Sequence, residues 1–118
     1  MKISALKDIV GGKLLNTPAI SFVTQIHTDL RKVNDGDAFF TDNQADLNKA
    51  ISKGIFAIIV DFIPEISDSE IAWIKVENLE KAKTNILRYY LLQKNTSFIH
   101  IDDVFYQFLN LFKTKELI

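Results

Sequence analysis

The run Ile55-Phe56-Ala57-Ile58-Ile59-Val60 constrains the fold more than any other stretch. It is continuously apolar and carries β-branched residues, with Gly54 before it and Asp61 after it. A strand with this composition is covered on both faces, as in the interior of a parallel sheet. The residues before it supply further pieces of the same layered structure. Asn34-Asp35-Gly36-Asp37 has the composition of a tight turn, and Gly36 can take a positive φ without steric cost. Ala38-Phe39-Phe40 then starts an apolar strand. Leu47, Ala50 and Ile51 fall at i, i+3 and i+4, which makes one side of a short helix apolar. Gly54 stands where that helix would stop.

The rest of the chain alternates in the same way. Residues 3–10 read as a helix with Ser4 as N-cap and an apolar side of Leu6, Ile9 and Val10, ended by Gly11-Gly12. Lys13 to Asn16 reads as a small strand closed by the Asn16-Thr17-Pro18 turn. Ile20 to Thr28 reads as a strand with Ile20, Phe22, Thr24 and Ile26 on one face. Pro64 and the acidic stretch Glu65–Glu70 read as a solvated loop, and Ile71–Val76 as a strand carrying Trp73. Asn78 caps a helix reaching about Gln93, with a stripe of Leu79, Ala82, Ile86 and Tyr90 widened by Leu87 and Leu91. Ser97–Ile101 reads as another strand, followed by a helix with Val104, Phe105, Phe108, Leu109 and Phe112 on one face. The expected fold class is α/β: a single domain with a largely parallel sheet flanked by helices, joined by right-handed crossovers.

Composition narrows the function. At 118 residues the chain is one domain able to bury a core. Its hydrophobic content of 47% and charged content of 25% are those of a globular protein. A formal net charge of −1 gives no electrostatic case for nucleic acid or an anionic membrane. Without cysteine there are no disulfides and no thiolate chemistry. Lys2, Lys7 and Asp8 interrupt any signal-peptide-like apolar run, and Ile55–Val60 is too short to span a bilayer, so a cytoplasmic location is expected.

Few residues suggest chemistry. None of the glycines (Gly11, Gly12, Gly36, Gly54) precedes a Lys-Ser or Lys-Thr pair, so no phosphate-binding loop is present. His27 and His100 lack metal-ligand spacing. Asp102-Asp103 suits a helix N-terminus better than a cation site. Arg31 either bridges to Asp29 or meets a phosphate. The serines and histidines suggest no nucleophilic triad. No catalytic residue, cofactor or metal is expected.

Asp29-Leu30-Arg31, then Gly36-Asp37-Ala38-Phe39, then Ala50-Ile51-Ser52-Lys53-Gly54 before an apolar strand form an ordered set. In order and spacing it resembles the N-terminal domain of the Mur ligases. These are cytoplasmic ATP-dependent enzymes that add amino acids or a dipeptide to UDP-N-acetylmuramic acid. The likeness is greatest to the members that add the third residue or the terminal dipeptide. It covers residues 1–92, with 93–118 as a strand-helix extension packed on the same domain. It implies a degenerate ligand site at Thr28, Asp29, Arg31, Gly36, Asp37, Asn43, Gln44 and Asp46.

The family's Asp-Ser-Arg serine, which helps hold the UDP-sugar diphosphate, is Leu30 here and has no donor. The family loop after the second element is shortened, and Leu47 replaces its glycine after the aspartate. The resemblance therefore implies a stand-alone, non-catalytic binding or interaction module linked to peptidoglycan precursor metabolism, with weak UDP-muropeptide binding or none. A second reading is a UDP-muropeptide-binding fragment or subunit of a split ligase, and a third is an α/β fold alike only in shape. Met1 and the last helix suggest a complete short protein. Phe105, Tyr106, Phe108, Leu111 and Phe112 either cover the sheet or form a homodimer or partner surface.

Overall fold

The structure, a computed structural model, describes residues 1–93. The predicted strand at Ser97–Ile101 and the aromatic helix after it lie outside the described residues. So do His100, Asp102, Asp103 and the proposed surface of Phe105, Tyr106, Phe108, Leu111 and Phe112.

Five strands form one sheet in the order β1-β5-β4-β3-β2. They are β1 (Lys13–Leu14), β2 (Ile26–His27), β3 (Ala38–Thr41), β4 (Ala57–Val60) and β5 (Ala72–Lys75). β2 to β5 are parallel, and β1 pairs antiparallel with β5 at the edge. The register aligns Phe39 with Ile58 and Ile58 with Trp73, and beside them Phe40 with Ile59 and Ile59 with Ile74. Because successive side chains alternate across a sheet, these rows feed two cores on opposite faces. Phe39, Ile58, Val60 and Trp73 pack with Val33, Leu47 and Ala50. Phe40, Ile59 and Ile74 pack with Leu6, Val10, Ala82 and Ile86 on the other side. The apolar run from Ile55 is thus buried on both sides, as its composition demands.

Helix α1 (Ile3–Val10) starts at Lys2, which makes no side-chain cap, so Ser4 sits inside the first turn and does not cap it. Gly11 ends it at φ +65°, and the Gly12 N–H returns to the Lys7 carbonyl at 3.0 Å. Helix α2 (Gln44–Ser52) buries Leu47 and Ala50 and is capped by Asn43, whose side chain accepts the Asp46 N–H at 2.8 Å. Helix α3 (Leu79–Leu92) is capped in the same way by Asn78, which accepts the Lys81 N–H at 3.0 Å. α3 buries Leu79, Ala82, Ile86 and Leu87 against α1 and the sheet.

The predicted strand at Ile20–Thr28 shrinks to Ile26–His27, a correction with a clear cause. Residues 21–25 divide their hydrogen bonds between two neighbours. Ser21 accepts from Ile3 and Val23 donates to Met1, while Thr24 donates to Gly36 and Gln25 accepts from Ala38. With no single ladder, the expected face dissolves: Phe22 is 55% exposed whereas Val23 is buried. Among the described residues, no helix is long and apolar enough to cross a membrane.

Candidate functional site

The residues expected to meet a ligand fall on three parts of the fold. Thr28, Asp29 and Arg31 follow β2 and enter one turn of 3₁₀ helix, Leu30–Lys32. The turn is tied to the far end of α2, because Lys53 Nζ donates to the Leu30 carbonyl at 2.8 Å. Gly36 and Asp37 precede β3. Asn43, Gln44 and Asp46 follow it and open α2. A helix of 9 residues is about 13 Å long, so the Asn43 and Lys53 ends of α2 are well separated. The structure brings Asp29 to Arg31, and Asn43 to Gln44 and Asp46; the first set follows the carboxyl end of β2 and the second that of β3, its parallel neighbour.

Each of these side chains has a partner in the chain itself. Arg31 closes on Asp29 through two bonds, Nε to Oδ1 at 3.1 Å and Nη2 to Oδ2 at 2.9 Å. Those hydrogen bonds hold the Asp29 carboxyl below the usual carboxylate range and push the guanidinium up. Of the two roles open to Arg31 in the sequence, the bridge to Asp29 is the one present. Leu30 packs against the core that contains Leu47, so the donor-less position is used for burial.

Asp37 is buried at the heart of the turn. Its carboxylate accepts the Asn34 N–H at 2.9 Å and the Gln25 N–H at 3.2 Å. His27 Nε2 lies 3.1 Å from its second oxygen. Gly36 adopts φ +86°, and its N–H donates to the Gly54 carbonyl at 2.8 Å. Asn43 is occupied as the α2 cap, and its amide also donates to Asp46 at 3.3 Å. Gln44 donates to Asn48 at 3.0 Å and accepts the Glu65 N–H at 3.4 Å. Leu47, where the resemblance implies glycine, is fully buried in α2, which only two residues separate from β3.

Two features carried no sequence signal. The His27–Asp37 contact joins a β2 residue to the turn before β3, which only the β2–β3 register makes adjacent. Asn16 staples the sheet edge: its amide donates to Ser69 and Ile71 carbonyls at 3.1 and 2.8 Å, and its oxygen accepts the Trp73 N–H at 3.1 Å.

Hollows occur elsewhere. One of about 650 Å³ lies between Gly12, Lys13, Lys75, Asn78 and Lys81. Another of about 850 Å³ runs between α1 and residues 13–22, lined by Lys2, Ile3, Lys7, Leu14, Ile20 and Phe22 among others. Neither is lined by any of the expected ligand residues. No group of His, Cys, Asp and Glu that could hold a metal occurs among the described residues.

Fold and site together define a small α/β domain with a five-stranded, mostly parallel sheet and helices on both faces. Its fold is that of a segment of the Mur ligases. Two crystal structures of MurF from Acinetobacter baumannii align with 79% and 80% of this chain, with TM-scores of 0.64 and 0.62 and 22% identity. A UDP-N-acetylmuramoylalanyl-D-glutamyl-2,6-diaminopimelate–D-alanyl-D-alanyl ligase from the same organism aligns with 79%, with a TM-score of 0.63 and 22% identity. The aligned part is 21%, 21% and 22% of those proteins, so the chain spans about a fifth of their length. No protein-family model and no curated protein matches the chain.

Proposed function

We infer that this chain is a non-catalytic, Mur-ligase-like domain that works as an interaction module linked to peptidoglycan precursor metabolism. The observation that carries this reading is the closed Asp29–Arg31 pair beside Leu30. The cation expected to meet a diphosphate is neutralised by its neighbour, and the position between them offers an apolar side chain. Lack of a glycine-Lys-Ser/Thr sequence supports the absence of ATP chemistry in this chain.

The second reading is a UDP-muropeptide-binding subunit working with a separate ATPase. It draws on the placement of Asn43–Asp46 beyond the carboxyl end of β3, where ligands of parallel α/β sheets gather. Calorimetric titration with UDP-N-acetylmuramoyl peptide separates the two, since only the subunit binds it saturably, and an assay with that peptide, ATP and amino-acid substrate tests for catalysis. The isolated chain is expected to show no turnover; phosphate release coupled to product would overturn the non-catalytic reading.

A further inference from the structure

We propose that the chain self-associates head to tail. The loop at 61–70 of one copy docks into the lysine-rimmed groove beside α1 of the next. This deepens the interaction-module reading, and it fails separately from it: nucleotide-sugar binding is tested by another experiment.

The loop is built to present apolar side chains. It reads Asp61-Phe62-Ile63-Pro64-Glu65-Ile66-Ser67-Asp68-Ser69-Glu70. Phe62 packs against the core and Pro64 is buried, while Ile63 between them faces outward. Ile63 is 77% exposed and Ile66 43%. The loop is held along its length: Glu65 N–H reaches Gln44, Trp73 Nε1 donates to the Asp68 carbonyl at 2.7 Å, and Asn16 binds the Ser69 carbonyl. Two outward isoleucines on an anchored loop keep their apolar surface in water at low entropic cost to a partner. Four carboxylates and no basic residue lie within these ten positions. None of the four makes an ion pair among the described residues.

The groove is the complement in charge and polarity. Its apolar lining includes Leu14, Pro18, Ile20 and the half-exposed Phe22, and its rim carries Lys2, Lys7 and Lys13 with no carboxylate in the lining. Lys7 pairs with Asp8 at 3.3 Å, which leaves Lys2 and Lys13 as the cations facing an incoming loop. Its walls are fixed by the bonds of Met1 and Ile3 to Val23 and Ser21. The loop is acidic and apolar and the groove lining basic and apolar, and the two adjoin at Glu70, whose carbonyl accepts from Ala19 and Ile20. That pattern favours another copy as occupant. Because loop and groove are different surfaces, the contact is heterologous, and each added copy leaves one of each free.

The test is light scattering and sedimentation of the full 118-residue chain across concentration and salt. The expected result is growth in mass with concentration at low ionic strength that recedes as salt shortens the Debye length. The double variants Lys2→Glu/Lys13→Glu and Ile63→Asp/Ile66→Asp change exposed side chains, and circular dichroism checks that both keep the fold. Each alone is expected to weaken association by roughly tenfold or more. Mixed, they should form a 1:1 complex that does not extend, since one supplies a working loop and the other a working groove. A wild-type chain that stays monomeric throughout, or an oligomer that neither variant weakens, would overturn the proposal.

Discussion

His27 Nε2 and Asp37 Oδ2 lie 3.1 Å apart, with both side chains 4% exposed. The same carboxylate holds the N–H groups of Asn34 and Gln25, so one side chain fastens β2 to the turn that leads into β3. A buried acceptor with several donors is costly to remove because each donor is left without water or partner. Asp37→Ala is expected to destabilise by about 2–4 kcal/mol, and Asp37→Asn by less, since one oxygen remains. Urea unfolding measures this; a midpoint unchanged in Asp37→Ala would remove Asp37 from the framework.

Asn16 offers a second, independent test. Asn16→Ala strips the Trp73 N–H and the Ser69 and Ile71 carbonyls of their side-chain partner, at an expected cost of about 1–3 kcal/mol. Amide hydrogen exchange at Trp73 should speed up before the rest of β5. Equal protection in both proteins would show that water replaces the staple without loss.

Gly54 and Gly11 separate two causes of glycine dependence. Both have positive φ, +85° and +65°. A Cβ on Gly54 would run into the Asp35 carboxylate, while one on Gly11 meets nothing within 4 Å. Gly54→Ala should therefore cost more than Gly11→Ala, with the backbone penalty alone at about 1–2 kcal/mol. Thermal unfolding of the two variants decides it, and equal losses would rule out the Asp35 clash.

Asp29 has a depressed pKa because Arg31 hydrogen-bonds its ionised form. The sign follows directly. A folded-state pKa below the unfolded one contributes stability above the unfolded value, lost as pH falls through the folded value. The pair is solvent-screened, with Arg31 89% exposed, so the readout is titration and not stability. Arg31→Ala should move the Asp29 carboxyl titration upward toward the ordinary range, as seen by carboxyl-carbon NMR. An unmoved titration would mean that the pair is open in solution.

Much of this fold was readable because its helices and inner strands are locally specified. α1 falls on residues 3–10 as periodicity and Gly11 require, and Asn78 caps its helix; Asn43, read only as a ligand residue, caps α2. β4 and β5 lie inside the apolar runs that begin at Ile55 and Ile71. The failures share a physical origin in long-range pairing. Residues 21–25 bond to Met1–Ile3 and to Gly36–Ala38, a choice that alternation along the strand cannot encode. Ser4 has the right composition for a cap but sits two residues too deep, because Lys2 is drawn into a bridge with Phe22. For the candidate site, residue types were legible but their partners were not. The bridge of Arg31 to Asp29 was one of two open roles, and Asp37 read as a turn residue gave no hint of its contact with His27.

The central claim is that the groups expected to cradle a nucleotide sugar are committed to the chain's own structure. Titration of the isotopically labelled chain with UDP-N-acetylmuramoyl peptide, followed through backbone amide shifts, tests it most directly. The expected result is no saturable shift at residues 28–31 or 43–46 up to about millimolar ligand, the range of a free energy near −4 kcal/mol. Saturable shifts at both sets together, with Arg31 released from Asp29, would contradict it.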